Sequence, residues 1–187
     1  RPVISFGITT AGSPVSTALN STKNIYLGPF DDVYVYDGSG NIMARIKNLT
    51  AHDYGCTEVT IDRAGSSSAQ FWNLTTSQYL TSKSFKVIPT NNTAAGNYEI
   101  TFYYTAAEVN GWVAATGLSF AGTNVVKVSN GFYVPDITPA TPHTLSVSFV
   151  PGTSAAFGAN STITGAFTAT GFSGFAVGTP GVALPVT

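Results

Sequence analysis

The side chains that could do chemistry are few in this chain, and its aspartates come closest to forming a site. Asp31 and Asp32 lie six and five residues before Asp37, and oxygen ligands gathered at a loop are what a Ca²⁺ ion requires. The spacing does not match an EF-hand loop, and Asp37 is also a residue that turns favour on their own account. We therefore favour a turn, with a structural Ca²⁺ site at Asp31, Asp32 and Asp37 as the alternative.

The sequence offers less support for a catalytic site than for a Ca²⁺ site. Glycoside hydrolysis needs two acids that face one cleft, but Glu58 begins a predicted strand, Glu99 lies within one and Glu108 caps a predicted helix. His52 and His143 are far apart and belong to no zinc-binding motif, and no G-x-S-x-G elbow is present. We therefore predict that the chain is not an enzyme and has no catalytic residues.

Aromatic side chains offer a binding function instead. Exposed rings that lie in one plane can stack on sugars, and the candidates for such a carbohydrate site are Trp72, Tyr79, Tyr103 and Tyr133. The same rings are equally suited to the core and to cross-strand pairs of a β-sandwich. We favour the core for these rings and keep polysaccharide binding as the alternative.

Charge is scarce: the 187 residues include only 8 Lys and Arg and 9 Asp and Glu, for a net charge of −1. Ordinary soluble domains carry charge on roughly a quarter of their residues. The absence of a Lys/Arg cluster argues against nucleic acid as a partner, and no apolar run is long enough for a transmembrane segment. A neutral surface rich in hydroxyl groups favours an extracellular or cell-surface location, in contact with a matrix or with other copies. The single cysteine, Cys56, has no partner within the chain, and we expect it to be buried.

Alternation of apolar and polar residues predicts β-strands along most of the chain. The clearest hairpin joins 33–36 to 42–46 through the glycine-rich turn 37–41. Further strands are predicted at 57–62, 84–88, 97–104, 124–128, 144–150, 162–170 and 172–178. Within 97–104, the residues Tyr98, Ile100, Phe102 and Tyr104 are expected to share the buried face.

One helix interrupts the strands, near 105–116. Thr105 and Glu108 have the spacing of a capping box, and Gly117 suits the end of the helix. Val109, Trp112 and Val113 form an apolar stripe that we expect to pack on a sheet. The predicted fold is therefore an all-β antiparallel sandwich, Ig-like or jelly-roll-like, with one short α-helix.

We predict a single domain over 1–187, and the proline-rich segment 134–142 is the place for a sub-boundary. The N-terminal residues alternate as an apolar strand, in the form needed to add to the sheet edge of a neighbouring molecule. The residues expected to mediate self-association in this way are Val3, Ile4, Phe6 and Ile8.

Four segments have a familiar pattern: GCTEVTIDRAG (55–65), FWN (71–73), KSFKVIP (83–89) and GNYEITFYYTAAEVNGW (96–112). Together they resemble a β-module of large secreted and cell-surface proteins of Bacteroidetes. The ending, FSGFAVG (172–178) and LPVT (184–187), is similar to the junction before a type IX secretion sorting domain. The resemblance implies an exported accessory module and supplies no catalytic motif.

These observations together predict a non-enzymatic extracellular module with a structural or adhesive role. Strand exchange through the N-terminal strand would make it a self-associating filament subunit. The alternative is a carbohydrate-binding module of a larger secreted protein.

Overall fold

The computed structural model describes residues 13–63, 69–73, 78–128 and 147–179, and the side chains of all of these except 69–73, 78, 128 and 147. The described chain forms strands β1 (Asn20–Leu27), β2 (Asp32–Tyr36), β3 (Ile42–Asn48), β4 (Gly55–Arg63), β5 (Ala69–Asn73), β6 (Gln78–Pro89), β7 (Tyr98–Tyr104), β8 (Asn124–Val128), β9 (Val147–Pro151), β10 (Thr153–Phe157), β11 (Asn160–Phe167) and β12 (Gly174–Gly178). Helix α1 (Ala106–Thr116) and a 3-10 turn (Phe120–Gly122) lie between β7 and β8.

Two sheets contain these strands. The seven-stranded sheet has the order β1-β4-β6-β12-β8-β9, with β5 also pairing with β6, and the five-stranded sheet has the order β10-β11-β7-β3-β2. The strand pairs in both sheets are antiparallel. The predicted all-β sandwich with one short helix is confirmed.

The aromatic core lies between the two sheets, and β7 shows how the sequence builds it. Tyr98, Ile100, Phe102 and Tyr104 all belong to the core cluster, as the alternation in this strand predicts. Phe85 of β6 and Phe102 of β7 pack with ring centroids 4.3 Å apart, which joins one sheet to the other. Phe175 of β12 belongs to the same cluster.

Helix α1 has the predicted capping box. The Thr105 side chain accepts from Glu108 N at 3.1 Å, and Glu108 Oε2 accepts from Thr105 N at 2.7 Å. Gly117 ends the helix in the left-handed region, at φ 70°. Trp112 is fully buried, as expected, but Val113 is 45% exposed. The predicted stripe therefore packs on the core through Val109 and Trp112 only.

The hairpin of β2 and β3 also forms as predicted, around a turn that Asp37 organises. The strand register shifts between Val35 and Tyr36, so that Tyr36 pairs with Ile42 and Met43 is passed over. Such a bulge turns one residue of the strand toward the opposite face. Ile42 therefore leaves the core, and Met43 takes its place there.

Two features differ from the sequence prediction, and two further predictions fall on residues that the structure does not describe. Strands β1, β5 and β10 were not predicted. In β1 and β10, Asn-Ser-Thr-Lys and Thr-Ser-Ala-Ala carry few of the residues that favour strands. Cys56 is exposed and not buried as expected, because Thr57, Val59 and Ile61 of β4 occupy the inward positions and leave Cys56 outside. The N-terminal strand with Val3, Ile4, Phe6 and Ile8, and the segment 134–142, lie outside the described residues.

None of the helices in the described part of the chain has the length and apolar character that crossing a membrane requires.

Candidate functional site on the outer face of the five-stranded sheet

The outer face of the five-stranded sheet, which points away from the core, carries three rows of side chains that run across the strands. We define this outer face by an apolar row, whose members pack together in one cluster, and by a middle row and a charged row, whose members are cross-strand pairs. The apolar row is Tyr36, Ile42, Val15, Tyr103 and Phe157. The middle row is Tyr34, Arg45, Thr101 and Thr164, and the charged row is Asp32, Lys47 and Glu99.

The apolar row is a second hydrophobic cluster, separate from the core. Val15, Ile42 and Tyr103 are buried, and half-buried rings pack against them from both sides. On one side, Phe157 meets Tyr103 edge-on with ring centroids 5.0 Å apart. Burial raises the pKa of the Tyr103 hydroxyl above its ordinary value of 10.0. The row therefore presents aromatic rings to solvent on top of a firmly packed base.

The middle row places a guanidinium next to an aromatic ring. Arg45 donates from Nε to Asp32 Oδ1 at 2.7 Å and from Nη2 to Asp32 Oδ2. The Arg45 guanidinium carbon lies 5.4 Å from the centre of the Tyr34 ring, within cation–π distance. The hydrogen bonds to Asp32 raise the pKa of Arg45, so this cation stays charged at every physiological pH.

The remaining members of the middle and charged rows supply polar groups. The hydroxyls of Thr101 and Thr164 are hydrogen-bonded across β7 and β11 at 2.8 Å. Lys47 Nζ lies 3.9 Å from Glu99 Oε2 at a half-exposed position. The outer face thus changes from aromatic to hydroxylated to charged along the strand direction.

This arrangement can bind a flat or extended partner by contact. Tyr34 and Tyr36 are both half-exposed and lie two residues apart on β2, so their rings point to the same side of the sheet. Aromatic surface of this kind provides stacking and apolar contact, and the Arg45–Asp32 pair provides fixed hydrogen-bonding groups beside it.

The four predicted carbohydrate-binding aromatics do not form one row in the part of the chain that the structure describes. Tyr79 lies on β6 of the seven-stranded sheet, near Trp112, whereas Tyr103 lies on β7 of the five-stranded sheet. Tyr103 is only 4% exposed, so its ring has no free face for a sugar. Trp72 belongs to β5, but its side chain lies outside the described residues, as does Tyr133.

The three aspartates considered for Ca²⁺ have separate structural partners. Asp31 accepts from Gly28 N at 2.7 Å, and Asp32 pairs with Arg45. Asp37 accepts from the backbone N–H groups of Ser39 and Asn41 and from the Ser16 hydroxyl, and these hydrogen bonds outweigh its burial and lower its pKa. Within the described ranges, no three His, Cys, Asp or Glu side chains are grouped so as to hold a metal.

A buried charged cluster lies behind the apolar row, inside the fold. Lys83 is 1% exposed, and its Nζ donates to Ser16 O at 2.9 Å, Tyr103 O at 3.0 Å and Glu108 Oε2 at 3.0 Å. Arg63 Nη2 lies 3.6 Å from Glu108 Oε1. The ammonium group therefore joins the N-terminal segment, the end of β7 and the start of α1.

Burial lowers the pKa of Lys83, and the negative charge of Glu108 opposes that effect. This buried cluster was not predicted, although the sequence carries a signal for it. Lys83 shares its period-2 register with Phe85 and Val87, which are both core residues, so the same strand pattern places Lys83 inward.

Comparison of this chain with protein-family models, with curated proteins and with solved structures finds no match.

Proposed function

We propose that this chain is a non-enzymatic structural and adhesive module that works outside the cell, and that the outer face is its contact surface. The observation that carries the proposal is the apolar row, a cluster of aromatic rings on the solvent side of a sheet and separate from the core. Rings that remain half-exposed leave apolar surface in contact with water, and apolar surface of this kind is typical of contact sites.

The use of the acidic side chains supports contact over catalysis. Asp31 and Asp37 accept hydrogen bonds within turns, and Asp32 is paired with Arg45. Glu108 accepts from Lys83 and caps α1. A carboxylate whose oxygens are occupied by structural hydrogen bonds is poorly placed to reach a substrate as a general acid or base. The scarcity of charge and the resemblance to exported modules of Bacteroidetes agree with a location at the cell surface.

Beads coated with the protein test this proposal directly. We expect coated beads to attach to one another or to immobilised extracellular polymers, and the double variant Tyr34→Ser/Tyr36→Ser to lose that attachment. Tyr26→Ser is the matched control, since Tyr26 is an exposed tyrosine on the other sheet. Wild-type beads that attach to nothing, or a double variant that attaches as well as the control, would contradict the proposal.

Carbohydrate binding is the second candidate, and one observation favours it. The half-exposed Tyr34 ring has the Arg45–Asp32 pair beside it, which combines a stacking surface with groups that hydrogen-bond sugar hydroxyls. The residues that would bind the sugar are Tyr34, Tyr36 and Arg45, and not the set that the sequence suggested.

A glycan array and a panel of insoluble polysaccharides distinguish the two candidates. Retention on a polysaccharide that is lost in Tyr34→Ala and in Arg45→Met, but kept in Tyr26→Ala, would support a sugar site. Bead attachment without any glycan signal would leave the structural and adhesive role and remove the carbohydrate role.

A further inference from the structure

Strand β10 forms one edge of the five-stranded sheet and lies near the 3-10 turn. Thr153, Ser154, Ala155 and Ala156 are all exposed, and β11 is its only pairing strand among those the structure describes. An open edge strand is a template for pairing with another strand, and natural sheets usually protect it with a charge, a proline or a bulge.

The other edges of the two sheets each carry one of these protections. Strand β1 has Lys23 at its middle, and β9 ends in Pro151. Strand β2 begins with Asp32 and has a register shift, and β5 also has a register shift in its pairing with β6. By contrast β10 pairs with β11 without any shift, and it contains neither a charged residue nor a proline. The described segment 147–179 carries no charge at all.

The hairpin geometry shows which groups of β10 are free to pair. Phe157 and Asn160 close a two-residue turn in which Gly158 has φ 62°, the pattern of a type II′ hairpin. The closing pair exchanges both of its hydrogen bonds, and the pairs then alternate along the antiparallel ladder. Ala155 therefore bonds to β11, whereas the N–H and C=O groups of Ser154 and Ala156 point away from it.

We propose that β10 pairs with β10 of a second copy of this chain, antiparallel and about a two-fold axis at Ala155. In this register Ser154 meets Ala156 of the second copy and exchanges both hydrogen bonds with it. At the axis Ala155 meets its own equivalent, and a methyl group is small enough for the close approach of such a pair. The two five-stranded sheets become one continuous sheet of ten strands, joined by a self-complementary interface.

Neutrality is the reason for choosing a second copy as the partner. Like residues face each other across a two-fold axis, so any charge on β10 would meet the same charge on its neighbour. Among the described edges, β10 is the one that has no charge, no proline and no register shift. The proposal does not rest on the outer face, because the pairing groups belong to the strand edge and not to the side chains of the three rows.

Sedimentation analysis up to about 1 mM protein tests the pairing. The high concentration is needed because two short strands bury little surface and therefore associate weakly. We expect the wild type to form dimers as its concentration rises and Ala155→Lys to remain a monomer, since it places two like charges at the axis. Ala114→Lys is the matched control on an exposed position of α1, and it should dimerise like the wild type. A wild type that is monomeric throughout, or a dimer that Ala155→Lys leaves intact, would overturn the proposal.

Disulfide trapping tests the register. In a Cys56→Ser background, we expect Ala155→Cys to form a covalent dimer when oxidised with copper phenanthroline, because the equivalent β-carbons lie at bonding distance across such a pair. Ala114→Cys is the control, and equal trapping of the two variants would refute the register. Tyr34→Ser/Tyr36→Ser should dimerise normally, so failure of the outer-face proposal and failure of this one give different results.

Discussion

Removal of the buried Lys83 ammonium group should lower the free energy of unfolding by a large amount, because this group has three polar partners and almost no contact with water. Lys83→Met removes the hydrogen bonds to Ser16 O, Tyr103 O and Glu108. It also leaves the Glu108 carboxylate, which is 8% exposed, with Arg63 at 3.6 Å as its remaining cation. Breaking a buried ion pair from one side costs about 3–5 kcal/mol, a large part of the roughly 5–15 kcal/mol that stabilises a typical domain.

Urea unfolding followed by circular dichroism measures this loss as a lower midpoint at an unchanged slope. Lys23→Met provides the control on the exposed edge strand β1, and we expect it to change the free energy of unfolding by no more than about 0.5 kcal/mol.

A double-mutant cycle separates the ion pair from simple loss of packing. Glu108→Gln keeps an oxygen that can accept from Thr105 N, so the helix cap survives while the negative charge is removed. If the pair is coupled, Lys83→Met/Glu108→Gln loses about 1–3 kcal/mol less than the sum of the single variants. Effects that add to within about 0.5 kcal/mol would refute our account of this cluster.

Three further predictions concern local features of the fold. Thr105→Ala should lower the free energy of unfolding by about 1 kcal/mol through loss of the helix cap, and Thr105→Ser should restore it. Gly152→Ala should cost about 1–3 kcal/mol in urea unfolding, because its β-carbon would overlap Thr123 O, whereas Gly122→Ala meets open space and should be neutral. Above pH 10 the unfolded chain loses tyrosine protons that the folded chain keeps, because burial raises the pKa of three hydroxyls. The contribution of these rings to the free energy of unfolding is therefore fully present below pH 10. Above pH 10 it falls by about 1.4 kcal/mol per pH unit for each ring. Tyrosinate absorbance of the folded protein at several pH values should show these hydroxyls titrating later than those of the unfolded chain; the rings are Tyr98, Tyr103 and Tyr104.

Local sequence signals predicted the elements that depend on neighbouring residues. The capping box of α1 and the turn at Asp37 depend on groups only a few residues apart, so the sequence indicates them directly. The alternation in β7 is long and regular enough to identify both its core face and its outer face.

Features built from distant residues were not predictable in the same way. The apolar row includes Ile42 because a bulge in the hairpin turns that residue outward. It includes Phe157 because β10 forms, and the weak strand propensity of β10 does not predict that strand. Val15 reaches the row through an isolated parallel bridge to Ile42. No local pattern signals that these three residues meet, since each depends on tertiary placement.

The position of β12 determines when this protein can finish folding. This strand comes last in the described chain, yet it lies between β6 and β8 in the middle of the seven-stranded sheet. Because the chain is synthesised from its N-terminus, β6 and β8 are made before β12. They cannot be joined into one sheet until Gly174–Gly178 has been synthesised. Pairing over such long sequence separations is slow, so the seven-stranded sheet remains open until β12 is available. On the extracellular location that we propose, this topology lets the chain stay unfolded during export and close the seven-stranded sheet only after β12 has followed.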